Sequence, residues 1–214
     1  MQTYDFIVVG AGSAGSVVAE RLSANGRHSV LVLEAGGSDM RFYVQMPLGY
    51  GKCFFDPRVN WNYRAEPDRG LAGNADHWPR GKILGGSSSI NAMVWIRGAR
   101  EDYDGWRYAG NPGWGYDDVL PAFKAIAHNQ LGADDWRGSG GPLHVAVMTA
   151  GVHPLTHRYL LAGQQAGLPL NRDFNGATQE GVGIYQISAR DGRRMSAARA
   201  FLRPAMKRPR ISQV

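Results

Sequence analysis

A single cysteine, Cys53, stands in 214 residues. That excludes an intrachain disulfide and any cysteine-built metal cluster, and it suits a reducing compartment. No apolar run approaches the ~18 residues that read as a membrane span. The opening Met1-Gln2-Thr3-Tyr4-Asp5 lacks a positive stretch, and the apolar run after it is too short for a signal peptide. These absences set the expectation of a soluble, cytoplasmic chain with no transmembrane segment. Acidic residues almost vanish from 190–210, where eight arginines and lysines face Asp191 alone. With 24 basic and 18 acidic residues in all and a net charge of +6, the remainder sums to −1. The excess is therefore local, and no nucleic-acid partner is expected. The basic segment reads as a solvated or loosely packed end, with contact to phosphate or anionic lipid as the alternative.

Glycine is abundant instead, at 29 of 214 residues, about 14% against the usual ~7%. No collagen-like period organises these glycines, so they serve tight turns and close backbone approaches. Hydrophobic residues make up 43% and charged residues 20%, enough apolar material for a buried core.

The first thirty-five residues carry the clearest pattern. Phe6-Ile7-Val8-Val9 reads as a buried strand ending at Gly10. Gly10-Ala11-Gly12-Ser13-Ala14-Gly15 follows, and then a helix whose apolar face is Ala14, Val17, Val18 and Leu22. Asn25-Gly26 stops it. A second strand, Val30-Leu31-Val32-Leu33, ends at Glu34 and Ala35, with Glu34 nineteen positions after the third glycine. Strand, glycine turn, helix, strand and a trailing acid form the dinucleotide-binding fingerprint in its required context. Gly10 allows the sharp exit from the strand, Gly12 a close pyrophosphate, and Gly15 close packing of helix on strand. The helix N-terminus, with Ser13 and Ala14, turns free N–H groups to the phosphates. Glu34 accepts from the adenosine ribose and repels a 2′-phosphate. This unit alone does not separate FAD from NAD.

A second glycine cluster spans Gly85-Gly86-Ser87-Ser88-Ser89, between Ile83-Leu84 and the apolar Ile90, Ala92, Met93, Val94 and Ile96. A glycine–serine turn between buried segments offers N–H groups and hydroxyls in an apolar site. A second cradle after a dinucleotide fold fits a long cofactor.

From Gly81 through Gly98 to Asp104, the sequence resembles the first signature of the glucose-methanol-choline (GMC) flavoprotein oxidoreductases. The resemblance runs on through Asp102–Trp106, Gly110–Asp118, Gly140–Leu143, Asp173–Gly176, Gly181–Gly183, Arg194–Ala198 and Phe201–Pro204, and is nearest to the bacterial choline- or alcohol-dehydrogenase-like branch. It implies an α/β fold: an incomplete, Rossmann-like FAD-binding domain followed by the start of an α+β substrate-side domain. The divisions expected are 1–105 for the FAD-binding part, 106–204 for the substrate side and 205–214 for a return to the FAD domain. The activity implied is oxidation of a primary alcohol, choline or similar, by hydride transfer to flavin N5, with oxygen or a quinone as electron acceptor. Gly10, Gly12, Ser13, Ala14, Gly15, Glu34 and Ala35 would hold the adenosine and pyrophosphate. Gly85, Gly86, Ser87, Asn91, Ala92, Met93 and Val94 would lie along the pyrophosphate and isoalloxazine. Some relatives attach FAD through a histidine just before the equivalent of Asn91. Ile90 stands there in this chain, so the flavin is expected to be non-covalent.

The family's catalytic His–His or His–Asn pair lies near the C-terminus of much longer chains. Ile211-Ser212-Gln213-Val214 begins what reads as a strand just as the sequence stops, so the chain is expected to be truncated, its catalytic residues unknown. The alternative is accordingly a catalytically inactive FAD-binding fragment. His153 and His157 could share a helix face, but further metal ligands at suitable spacing are absent from the sequence. Trp61-Asn62-Tyr63 lies either beside the cofactor or packs a long loop. Asp117 and Asp118 read as helix-start residues, and Ser196 as the cap of a short helix that Pro204 stops.

Overall fold

A computed structural model describes residues 3–149 and 151–214. The chain divides into two compact units, one running from its start to Met93 and resuming over Asp191–Val214, the other Val94–Arg190. The first unit thus ends at Met93 where the sequence expectation ran to 105, and it resumes at 191 rather than 205. The reason is a pairing distant in sequence. Val94–Trp95 forms an antiparallel ladder with Gln186–Ile187, which commits the chain to the second unit from Val94 onward.

The first unit is built on a three-stranded parallel sheet. Strand β1 (Phe6–Val9) is followed by helix α1 (Ser13–Ser23) and strand β2 (Val30–Leu33), and β3 (Ile211–Gln213) pairs on the far side of β2. Phe6 lies opposite Val30, and Ile211 also lies opposite Val30. β2 is the central strand, so Val30 and Val32 are fully buried. β1 forms as expected but is not buried: it lies at the sheet edge, and Val9 is 82% exposed. Of its residues, Val8 packs against the core.

α1 also buries a different face from the one its apolar residues suggest. Ser16, Ala19 and Ser23 are buried, whereas Ala14 and Val18 are exposed. The helix packs against the turn Ala198–Leu202, and only small side chains permit that approach. The serine hydroxyls are satisfied internally, Ser16 Oγ donating to Ala11 O at 3.0 Å and Ser23 Oγ to Ala19 O at 2.8 Å. Ala198, Leu202, Ala205, Leu84 and Ile211 complete this core. A second cluster gathers Val44, Cys53, Val59, Ile83 and Ile90.

The basic C-terminal segment is not a solvated end. Arg203 Nε donates to Asp39 Oδ1 at 3.0 Å, and Arg208 reaches Glu20 Oε1 at 2.7 Å and Ser23 Oγ at 2.9 Å. Ser196 Oγ accepts from Arg199 N at 3.2 Å, as a cap should. Pro204 does not end the helical run, which continues from the wide π turn Ala198–Leu202 directly into Arg203–Ala205.

In the second unit, the helices Arg100–Tyr108 and Tyr116–Ile126 meet around Tyr103, whose ring lies 5.4 Å from that of Trp106 and 5.7 Å from that of Phe123. Asp118 accepts from Gly115 N at 3.0 Å and Asp117 pairs with both Arg100 terminal nitrogens, so both acids serve the helix start. Ala127–Asn129 runs parallel to Leu143–Val145. His153 Nδ1 accepts from Leu155 N at 3.2 Å and caps the helix Pro154–Gln165. Among the described residues no three His, Cys, Asp or Glu side chains converge on a metal-sized site, and no helix is long and apolar enough to cross a membrane.

Candidate cofactor-binding site

The two glycine turns meet. Gly85 N donates to Ala11 O at 2.8 Å, and a Cβ built on Gly86 would lie 2.8 Å from Gly12 Cα. Gly86 has φ +54° and Gly10 φ +89°, left-handed conformations that glycine adopts without steric cost. At Gly15 an added Cβ would overlap the Gly10 carbonyl oxygen and come within 3.3 Å of a Val8 methyl. That is the close helix-on-strand packing the third glycine was expected to serve.

A cavity of about 670 Å³ opens where these turns meet, lined by Gly10, Gly12, Gly86, Glu34, Ala35 and Trp61 among others. Five of its residues come from the sequence-predicted set. α1 begins beside it with Gly12 as its N-cap residue, no capping side chain and no acidic residue in the first turn. Its first N–H groups, at Ser13, Ala14 and Gly15, therefore favour an anion.

Glu34 has structural bonds as well as a place on the cavity wall. Its Oε2 accepts from Ala11 N and its Oε1 from Gly36 N, each at 2.8 Å. A carboxylate has about four acceptor sites, so one lone pair on each oxygen is left for a further donor. Trp61 faces the cavity rather than anchoring a loop in the core. It stacks on Tyr63 at 6.0 Å and carries the Lys82 ammonium 4.5 Å above its ring. Gly36 and Gly81 were not among the predicted residues. Each is pressed against backbone, of Lys82 and Gly86 respectively; the signal in the sequence was their position beside the two cradles.

The hydroxyls of the second cradle each make a bond within the protein. Ser87 Oγ accepts from Gly81 N at 3.1 Å, Ser88 Oγ donates to Gly85 O at 2.5 Å, and Ser89 Oγ donates to Leu84 O at 2.6 Å. Ser88 Oγ also accepts from Ala197 N at 2.9 Å, so Ser88 and Ser89 donate to protein carbonyls, while the half-buried Ser87 keeps its hydroxyl proton free to donate. Asn91 is exposed, Ala92 half-buried and Met93 buried with φ +63°. Val94 opens the second unit, paired opposite Ile187. Ile90, at the position of the attachment histidine, is buried in the Val44–Cys53 cluster.

The residues fit an elongated, anionic cofactor. Three glycines clear its path, a helix N-terminus faces it, and one acid stands at the far end of β2. Comparison with known proteins agrees with this geometry. The chain matches the GMC oxidoreductase family over residues 4–212. It is 47% identical over 210 residues to an oxygen-dependent choline dehydrogenase of Rhizobium rhizogenes and 48% identical to that of Sinorhizobium medicae, covering 98% of this chain and 38% of each relative. Among solved structures, it is similar to pyridoxine 4-oxidase from Mesorbium loti, with a TM-score of 0.93, 37% identity, and coverage of 99% of this chain and 42% of that one. An FAD-dependent oxidoreductase from Chaetomium thermophilum gives a TM-score of 0.87 at 28% identity, over 99% of this chain and 38% of that one. The chain thus spans well under half the length of the curated relatives it matches. Two fused glycine turns, the acid after β2 and a family match across nearly every residue together establish that this chain belongs to the GMC oxidoreductase family.

Proposed function

We propose that the chain is the FAD-holding part of an oxidoreductase that converts a primary alcohol, choline or a close analogue, to its aldehyde. The observation that carries this reading is the contact of the Gly10–Gly15 turn with Gly86 above a cavity that also contains Glu34. A nicotinamide-binding unit would need only the first turn.

The chemistry supplied by the bound group is acceptance of a hydride from the alcohol carbon at flavin N5. The residues of this chain bind and orient. Gly12 and Gly86 keep the pyrophosphate path free of side chains, and the first turn of α1 stabilises its charge. Glu34 accepts from ribose hydroxyls with the lone pairs that Ala11 and Gly36 leave free. Trp61 forms an aromatic wall. Attachment is non-covalent in this reading, because Ile90 is a buried hydrocarbon with no nucleophilic atom. Oxygen is the favoured electron acceptor over a quinone, in line with the names of the relatives.

A narrower reading applies to these 214 residues by themselves. Glu34 is the one ionisable side chain among the described residues that line the cavity, and each of its oxygens already accepts a backbone N–H. The chain then binds FAD without turning over alcohol. The test is the visible spectrum of the purified chain after FAD addition and desalting, followed by a choline assay with an artificial dye acceptor. Retained flavin bands without turnover fit this reading. A colourless protein refutes the cofactor assignment, and turnover refutes the inactive-fragment reading.

A further inference from the structure

Arg194 is 1% exposed, yet none of the ion pairs among the described residues involves it. Its Nε donates to Val44 O at 2.9 Å, and its Nη1 to Ser88 O at 3.2 Å and Asn91 Oδ1 at 2.8 Å. Its Nη2 is buried with no partner. Burial pushes the guanidinium pKa down to about 10, still high enough to keep it charged at neutral pH. A buried, uncompensated cation is an expensive way to hold a turn that a neutral donor could hold. Its presence calls for a role beyond holding that turn.

That role is visible at Asn91. Arginine has donors and no acceptor, so the Asn91 oxygen must face it, and the same oxygen also accepts from Met93 N at 3.1 Å. The amide is thereby fixed in one of its two orientations. Its Nδ2 makes no hydrogen bond among the described residues and belongs to an exposed side chain. The bond to Met93 N also supports a buried non-glycine residue at φ +63°, a conformation that persists only where its surroundings enforce it.

We infer that Arg194 is a positioning residue for the cofactor: it locks Asn91 as an outward hydrogen-bond donor to an acceptor atom of FAD. This rests on the FAD reading above. The variants to compare on the 214-residue chain are Asn91→Asp, Asn91→Ala, Arg194→Met and the double variant Arg194→Met/Asn91→Ala. Thermal midpoints without ligand and FAD dissociation constants from fluorescence quenching are the measurements.

Asn91→Asp keeps the acceptor toward Arg194, supplies the missing counter-charge and removes the outward donors. Its two readouts should move in opposite senses: a higher midpoint, and FAD affinity lower by about tenfold, the scale of one lost hydrogen bond. Asn91→Ala and Arg194→Met should each lose a similar factor, shift the visible band of bound flavin alike, and combine with no further loss. Should Arg194→Met fail to fold, the opposite shifts in Asn91→Asp decide the matter alone. Wild-type affinity in Asn91→Asp, or losses that multiply in the double variant, would overturn the positioning role and leave FAD binding standing. A wild-type chain that takes up no FAD at saturation overturns the cofactor reading and this inference with it.

Discussion

Replacing Gly12 and Gly15 separately by alanine should split binding from folding, although the two glycines lie in one turn. Gly12 has φ −71° and ψ −163°, ordinary extended values, and a Cβ there would have its nearest neighbour, Gly86 Cα, 4.0 Å away. The fold has room for that methyl. Alanine is a poorer N-cap than glycine by up to about 1 kcal/mol, offset by about 0.4–1 kcal/mol from a less flexible unfolded chain. The net change is close to zero. At Gly15 the methyl would instead overlap the Gly10 carbonyl, with Gly10 C at 3.1 Å and a Val8 methyl at 3.3 Å. Backbone cannot rotate aside as a side-chain tip can. The helix-propensity gain of about 1 kcal/mol is set against overpacking that costs typically ~1–3 kcal/mol and occasionally more, and an overlap with backbone belongs at the upper end. A net loss of about 2 kcal/mol corresponds to roughly 4–8 °C in a chain of this size. Differential scanning fluorimetry without ligand should therefore leave Gly12→Ala within about 2 °C of wild type and show Gly15→Ala melting several degrees lower. FAD titration should rank them the other way: Gly12→Ala folds but loses at least about tenfold in affinity, a cost near 1.4 kcal/mol. A folded Gly12→Ala chain with unchanged FAD affinity would refute the cradle, and a Gly15→Ala chain as stable as wild type would refute the packing argument.

Arg203→Met strands Asp39, which is 0% exposed and whose Oδ2 already lacks a partner; breaking such a pair costs about 3–5 kcal/mol, and urea denaturation should show it. Glu34→Gln leaves one of the Ala11 and Gly36 N–H groups facing an amide N–H₂, so a stability loss of about 1–3 kcal/mol should appear with weakened FAD binding. Asp5 receives the Ser29 backbone N–H at 2.7 Å and its hydroxyl at 2.8 Å, and these bonds, the backbone one foremost, hold its carboxyl below the ordinary 3.8. The stability it contributes is present above that value and is lost as pH falls through the lower folded-state pKa. The difference in melting temperature between wild type and Asp5→Ala should hold steady near neutrality and close below pH 3.8; a difference independent of pH would refute the charge as its cause.

The parts of the site legible in the sequence are those written in backbone. Gly10, Gly12, Gly15 and Glu34 are read from spacing because a left-handed turn, a bare approach and a strand end each demand one residue type. Side-chain direction was not legible. Val18 looked like core and is exposed, while Ser16 and Ser23 are buried, because the partner of α1 is the turn Ala198–Leu202 and nothing local announces its proximity. Ser88 and Ser89 looked like ligand hydroxyls and instead donate to the carbonyls of Gly85 and Leu84. Arg194, Arg203 and Arg208 looked solvated because their acceptors Asn91, Asp39 and Glu20 lie over a hundred positions away. The pairing of Val94–Trp95 with Gln186–Ile187 is likewise long-range, and it moved the unit boundary.

The pairing of β2 with β3 sets a timetable for synthesis. Val30 finds Ile211 only after the whole second unit has been made. At ~5–20 residues per second, the central strand waits roughly ten to forty seconds on the ribosome with one flank open. Over the same interval the small-residue face of α1 has nothing to pack on, since Ala198–Leu202 has not emerged. The second unit can fold first, and of these two units the one that holds the paired glycine turns closes after it.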